Sequence, residues 1–279
     1  MTVALLLALA SSLAYGAADF LGGLASRGAH VLRVVMVAAP ASLVVELVLW
    51  PVIGARFTDG AIVWGAASGL ASAAAFALLY RTLAIGPMSV LSPLTALVSA
   101  TLPVCVGLIG GEALGGLALG GMLLALAAVV LVSAGTDVSG VRPTRTALTL
   151  AIGAGAAIAL QLVCLDQAPD DSGVAPLIIG RAVSSAVVLG AAFTLRARLG
   201  SARPNVRVSA AAGALDSLAN LAFLLAVRDG DLAVVAVITA LYPAGTVLLA
   251  RAVLGERIGR TQLTGLGLAA MAVSLLAVG

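Results

Sequence analysis

The chain has 279 residues, 62% of them hydrophobic and only 10% charged, with a formal net charge of +3. A water-soluble fold of that composition would expose apolar patches over most of its surface, so the composition excludes one and predicts a polytopic membrane protein. The basic residues are all arginine and are spread through loops, which argues against a nucleic-acid footprint.

Apolar stretches of about 20 residues cross a hydrocarbon core of roughly 30 Å as helices, and strand-like alternation is absent, so a barrel is excluded. Gly, Pro and charged residues mark the breaks between ten predicted spans, at 2–25, 31–53, 60–84, 88–110, 114–134, 146–166, 173–195, 206–227, 231–251 and 259–278. The first begins at residue 2 with no basic residue before Arg27; it lacks the n-region of a cleaved signal peptide and is expected to be retained. It carries Tyr15 and, one turn on, Asp19, which together offer an aromatic wall and an acid facing one way. The alternative for Asp19 is an interfacial carboxylate that snorkels to water. His30, between Arg27 and Arg33, falls in a short loop as a solvated residue.

The second span holds Glu46, and the third holds Gly65-x-x-x-Gly69, a pattern for close helix packing. Pro93 and Pro103 interrupt the fourth span, each depriving a carbonyl of its helical partner, beside Ser92, Thr95 and Ser99. Freed carbonyls and hydroxyls there are candidate solute contacts, and the kinks are candidate hinges. Cys105 and Cys164 lie inside apolar segments, where a small buried side chain is the ordinary expectation for each. The Gly111-Glu112 turn precedes the fifth span, where a carboxylate is expected to accept from free amides at the following helix start.

The polar interval at 135–145 divides the chain into a first five-helix half, 1–137, an inter-repeat loop, 138–145, and a second half, 146–279. Gln161 sits in the sixth span, near the position that matches Ala18 of the first. Arg181 in the seventh is expected to lie in the outer half of the bilayer and to pair structurally with Glu46; the sharper alternative is that it binds a solute carboxylate. Asp216 is the deepest carboxylate, near the middle of the eighth span, and Asn220 follows on the same helical face. The pair suits a solute ammonium, or Asp216 exchanges a proton during transport; an interhelical clasp is the alternative. The ninth span has Thr239, Tyr242 and Pro243, and Gly255-Glu256 ends it as Gly111-Glu112 ends the fourth, with Glu256 expected to cap in the same way.

The halves are copies. Residues 69–135 slide by 144 positions onto 213–279 without a gap, with about 19 of 67 positions identical where about 7 are expected by chance. The matches include Gly86 with Gly230, Thr95-Ala96-Leu97 with Thr239-Ala240-Leu241, Gly111-Glu112 with Gly255-Glu256, and Gly121 with Gly265. The loop arginines divide unequally between the two membrane faces: Arg56 and Arg228 fall on one, and the other twelve on the opposite one, which the positive-inside tendency makes cytoplasmic. Both termini are then outside, Glu112 and Glu256 lie on opposite faces, and the halves are inverted.

Two five-helix halves of this kind, reading Gly86-Pro87-Met88-Ser89-Val90-Leu91-Ser92-Pro93 through Gly111-Glu112 to Gly121, and Gly230 through Tyr242-Pro243 and Gly255-Glu256 to Gly265, resemble the EamA-type branch of the drug/metabolite transporter superfamily. Arg181 fits an arginine frequent near the start of a half's second helix in that family, while the first-half position near Ala38 departs from it. The resemblance implies an all-α membrane fold of ten helices in two inverted repeats. It also implies export or exchange of small metabolites, commonly amino acids, through a cavity lined by the first, third and fourth helices of each half.

The expectation is therefore a secondary transporter in a bacterial plasma membrane, working by alternating access. Its solute-binding residues would be Tyr15, Asp19, Ser99, Gln161, Asp216, Asn220, Thr239 and Tyr242, its proton-coupling candidates Asp19 and Asp216, and its hinges Pro93, Pro103 and Pro243. Glu46, Glu112, Arg181 and Glu256 are assigned structural roles. Its partners would be a small solute and membrane lipid, with no nucleic acid, and one chain suffices for a complete pathway. A membrane-embedded enzyme and a passive channel or structural subunit are the rivals. Ser26-Arg27-Gly28 faintly resembles phosphate-handling turns of membrane phosphatases. A single His, no acidic cluster at metal-binding spacing and no nucleophile with a base predict no catalytic residue, metal or cofactor.

Overall fold

A computed structural model describes residues 2–86, 88–112, 115–133, 144–195, 199, 201–254 and 259–278. Among them the regular elements are helices: α1 (Thr2–Gly28), α2 (Val31–Ile53), α3 (Asp59–Ile85), α4 (Met88–Ile109), α5 (Gly116–Ser133), α6 (Arg145–Asp166), α7 (Ala175–Thr194), α8 (Val206–Arg228), α9 (Leu232–Thr239), α10 (Tyr242–Leu254) and α11 (Arg260–Val278). A short 3-10 turn, Asp170–Ser172, leads into α7. Eight segments are long and apolar enough to span a bilayer, with Leu232–Val253 taken as one, and Gly116–Leu131 is a shorter apolar helix. Large apolar side chains such as Leu13, Val48, Val52, Val63, Leu123 and Phe193 face outward, the surface that lipid rather than water would cover. The chain is an integral, multi-pass, all-helical membrane protein.

Side-chain caps start several helices. Thr58, Thr144 and Asn205 each accept from the backbone amide three residues on, at 3.2 to 3.3 Å, satisfying one of the amides that a helix start leaves free. His30 is exposed, as expected of a loop residue, and its Nδ1 accepts from the Leu32 amide at 3.2 Å, so it caps α2. At the other end of α2, Gly54 takes φ 84°, a conformation that a side chain disfavours. The loop it opens pairs with the one before α7: the Arg56 amide donates to the Ser172 carbonyl and the Val174 amide to the Gly54 carbonyl, both at 3.0 Å. Arg228, at the end of α8, donates to the Gly173 carbonyl at 2.9 Å and to Ser172 Oγ at 3.2 Å.

Proline acts differently in the fourth and ninth predicted spans. Pro93 and Pro103 both lie inside α4, which continues through them as one helix, so the expected interruption is absent there. The ninth span is broken, between α9 and α10, at Ala240-Leu241. Pro243 lies just beyond the break and has no N–H for the Thr239 carbonyl, so the last turn of α9 is closed by a shorter bond, Leu241 N to Ile238 O at 3.1 Å. The difference is one of position: Pro93 and Pro103 fall within the run of α4, while Pro243 falls in the first turn of α10, where a missing N–H costs a helix least.

The packing is organised in crossed pairs. α1 runs along α8 and α3 along α6; α2 also meets α8, as α3 also meets α7; α2 meets α7, and α5 meets α11. Glycines set the closest approaches. Gly65 and Gly69 on α3 lie against Pro176 and Gly180 of α7, where an added Cβ at Gly69 would strike the Gly180 carbonyl. Gly213 on α8 meets the Ala38 carbonyl of α2 in the same manner. Two apolar clusters form, one containing Leu5, Ala8, Leu162, Leu165, Phe223 and Ile238, the other Phe20, Val34, Ala151, Ala154 and Leu83. Along α1, Asp19 lies where one cluster gives way to the other, and Gln161 does so on α6. A polar layer thus occupies the middle of the bundle.

Candidate functional site

The polar layer is centred on Arg181, which α7 places in the interior at 3% side-chain exposure. Its Nε lies 3.4 Å from Glu46 Oε1 on α2, and its Nη2 pairs with Asp216 Oδ2 on α8. Its Nη1 donates to Ser72 Oγ on α3 at 2.6 Å, and the guanidinium sits 5.2 Å over the Phe76 ring, a cation-π distance. Glu46, at 1% exposure, also accepts from Ser217 at 3.1 Å. From Asp216 the network continues: Asn220 Nδ2 donates to the Asp216 carboxylate at 3.1 Å, and Gln161 Nε2 to Asn220 Oδ1 at 2.6 Å. Side chains from α2, α3, α6, α7 and α8 are tied together, and burying these charges is tolerable because each has hydrogen-bonded partners.

Beside the network lies a chamber of about 540 Å³, counting the part open to solvent. α1 contributes Tyr15 and Asp19, and α3 contributes Ser72, Phe76 and Tyr80. Ser99 comes from α4, Gln161 from α6 and Asp216 from α8, and the α9 break supplies Thr239, Ala240 and Tyr242. Tyr15 and Tyr242 face each other with ring centroids 6.3 Å apart, and Phe76 and Tyr80 form an edge-on pair at 5.5 Å. The hydroxyls of Tyr15, Tyr80 and Thr239 are buried with no hydrogen-bond partner among the described residues, which leaves them available to a ligand.

Two glycines hold Asp19 in its place. Gly16, three residues before it, touches the backbone at Tyr242 and Gly245, and Gly22, three residues after it, lies against the Tyr80 ring. Thr246 Oγ1 donates to the Gly16 carbonyl at 3.1 Å and fastens α10 to α1 there. Asp19 itself is 5% exposed and lines the chamber, and it has neither hydrogen bond nor ion pair among the described residues.

Seven of the eight residues expected to bind solute line this chamber; Asn220 does not, and stands behind Asp216 and Gln161 against a smaller void beside Arg181. The geometry also revises the expected environments. Asp216 is already engaged by Arg181 and Asn220, so it is not a free carboxylate awaiting an ammonium. Arg181 and Glu46 pair as expected, yet inside the bundle, with a second carboxylate that spacing could not reveal, because α2, α7 and α8 meet only on folding. Glu112 caps a helix other than the one expected: its carboxylate accepts from the amides of Leu232 and Ala233 at 2.8 and 3.0 Å, at the start of α9 and not of the neighbouring α5. Glu256 lies outside the described residues. Tyr80 was missed. Its place one turn after Phe76 on a chamber-facing helix is the signal that marks it.

A membrane-embedded helical bundle with a chamber walled by five of its helices and a broken segment is built to hold a small solute away from lipid. Residues 145–278 match the model of the EamA-like transporter family. That match, over just under half of the chain, supports membership of the drug/metabolite transporter superfamily and a membrane transporter of that type. Among curated proteins none matches. A solved crystal structure of a protein 15% identical to this one superposes over 96% of this chain and 96% of its own, with a TM-score of 0.69. At that identity the likeness is one of fold.

Proposed function

We propose that this protein is a secondary transporter that exports or exchanges an amino acid or related small solute across a bacterial plasma membrane, by alternating access through the central chamber. The observation that carries the reading is the origin of the chamber walls: α1, α3 and α4 on one side, and α6, α8 and the α9–α10 break on the other. A site shared between two halves is one that rocking of the halves opens to each face in turn. Ten spans in two inverted halves, with both termini outside, complete the proposal. The crossed pairs support it, since α1 on α8 has its counterpart in α6 on α3. So do Gly69 and Gly213, which match in the repeat and each press against the second helix of the other half. One chain supplies every wall of the chamber, and Asp19 and Asp216 are its proton-coupling candidates.

Proteoliposomes loaded with candidate amino acids and amines test the function. Saturable counterflow is expected; non-saturating flux indicates a channel, and product formation an enzyme. A reporter fused to the C-terminus tests the topology, and cytoplasmic activity there overturns it. Transport by Asp216→Asn with an unchanged pH profile removes that residue as the coupling site.

A further inference from the structure

We infer that the chamber selects a solute of net positive charge, an organic amine with an aromatic or apolar body, and that Asp19 is the residue that holds it. The inference rests on the transporter reading and narrows its solute, an amino acid or related compound, to a cationic relative.

Three observations lead there. The first is the charge balance of the interior, where buried Asp19 and Glu46 and part-buried Asp216 stand against Arg181, three carboxylates to one guanidinium among the described residues of the polar layer. The second is where the positive charge goes. Arg181 is consumed by Glu46, Asp216, Ser72 and the Phe76 ring, and it borders the smaller void rather than the chamber. A carboxylate on the solute would therefore meet no cation on the chamber wall, and would lie near Asp216 and Asp19 with their like charge. The third is the setting of Asp19. It is a buried, unpartnered carboxylate facing the chamber, with Tyr15, Tyr80 and Tyr242 around it. Aromatic faces and a carboxylate together are the chemistry that recognises an ammonium, by Coulomb attraction and by the negative faces of the rings. The unpartnered hydroxyls of Tyr15 and Tyr80 add acceptors for its N–H groups. The apolar remainder of the wall, with Ala75, Leu79, Ile158 and Leu162, suits the body of such a solute.

The test uses the full chain in lipid nanodiscs and three probes that share one aromatic body: 2-phenylethylamine, phenylalanine and 3-phenylpropionate. Isothermal titration at pH 7 is expected to show the amine binding about thirtyfold or more tightly than the zwitterion, and no binding of the acid, since an unmatched charge in a desolvated site costs at least that factor. Asp19→Asn keeps the side-chain shape and is expected to weaken the amine by about thirtyfold, while Asp19→Glu, which keeps the charge, retains binding. The selectivity of the unaltered protein is itself decisive, so a variant that fails to fold leaves the test intact. Phenylalanine binding as tightly as the amine, no binding of the amine, or full amine affinity in a folded Asp19→Asn protein each overturns the inference. Counterflow separates it from the reading it rests on. Amine binding without saturable amine flux refutes the transporter and leaves the cation site standing, whereas flux of phenylalanine without flux of the amine refutes the cation site and leaves the transporter standing.

Discussion

Replacing Arg181 by Gln is the perturbation whose cost the structure specifies most closely. The guanidinium separates two carboxylates, Glu46 at 1% exposure and Asp216 at 14%, and it also holds Ser72 at 2.6 Å. Removing one partner of a buried ion pair costs about 3 to 5 kcal/mol, because the partner left behind is charged and desolvated. Here two carboxylates are left behind. Asp216 borders the chamber and can regain water, which draws its share toward the low end, while Glu46 has only Ser217 to fall back on. A loss of about 4 kcal/mol is therefore expected for Arg181→Gln. Glu46→Gln, which leaves Arg181 paired with Asp216, should cost less than half as much. The assay is equilibrium unfolding in detergent, completed as a double-mutant cycle: Arg181→Gln with Glu46→Gln should recover part of the loss, by a coupling energy of about 1 to 3 kcal/mol. Two results refute the reasoning: an Arg181→Gln protein as stable as the parent, or no recovery in the double variant. Either shows that the ion triad does not hold α2, α7 and α8 together.

Gly69→Val should destabilise by more than Gly190→Val in the same unfolding assay, since the first drives a side chain into the Gly180 backbone and the second meets nothing within 4 Å. Glu112→Ala removes the acceptor for two amides of α9 and should lower stability by about 1 to 2 kcal/mol, with hydrogen exchange rising first at Leu232 and Ala233. Arg56→Ala breaks an ion pair whose side chains are 69% and 57% exposed, so the unfolding midpoint should barely move and the small effect should vanish in high salt.

How much of this was legible in the sequence differs from one feature to the next, for physical reasons. Apolar length gave the spans, since a helix must be about 20 residues long to cross a bilayer, and it placed α1 to α8 within a few residues. The glycine pattern at 65 and 69 correctly announced close packing, because only a missing Cβ lets two backbones approach so nearly. Helical spacing brought Tyr15 with Asp19 and Asp216 with Asn220 onto common faces, and these faces do meet the polar layer. Proline was read less well: its missing N–H is a local fact, but whether a helix bends or breaks there depends on the turns around it, so Pro103 lies inside an unbroken α4 and Pro243 beside a real break.

Identity of the partner lay beyond any local pattern. Glu112 and Leu232 are 120 residues apart in the chain, and Arg181 and Glu46 are 135 apart, so nothing in residue spacing tells which helix start the one will cap or how many carboxylates the other will hold. The sequence by itself determined that this is a helical membrane protein with a few costly charges inside it, because the bilayer penalises each charge whatever its neighbours. Only the tertiary structure decided which of those charges are spent on one another and which is left over. Arg181 is claimed by Glu46 and Asp216, and Asp19 faces the chamber unpaired, because helices that are distant in sequence pack side by side.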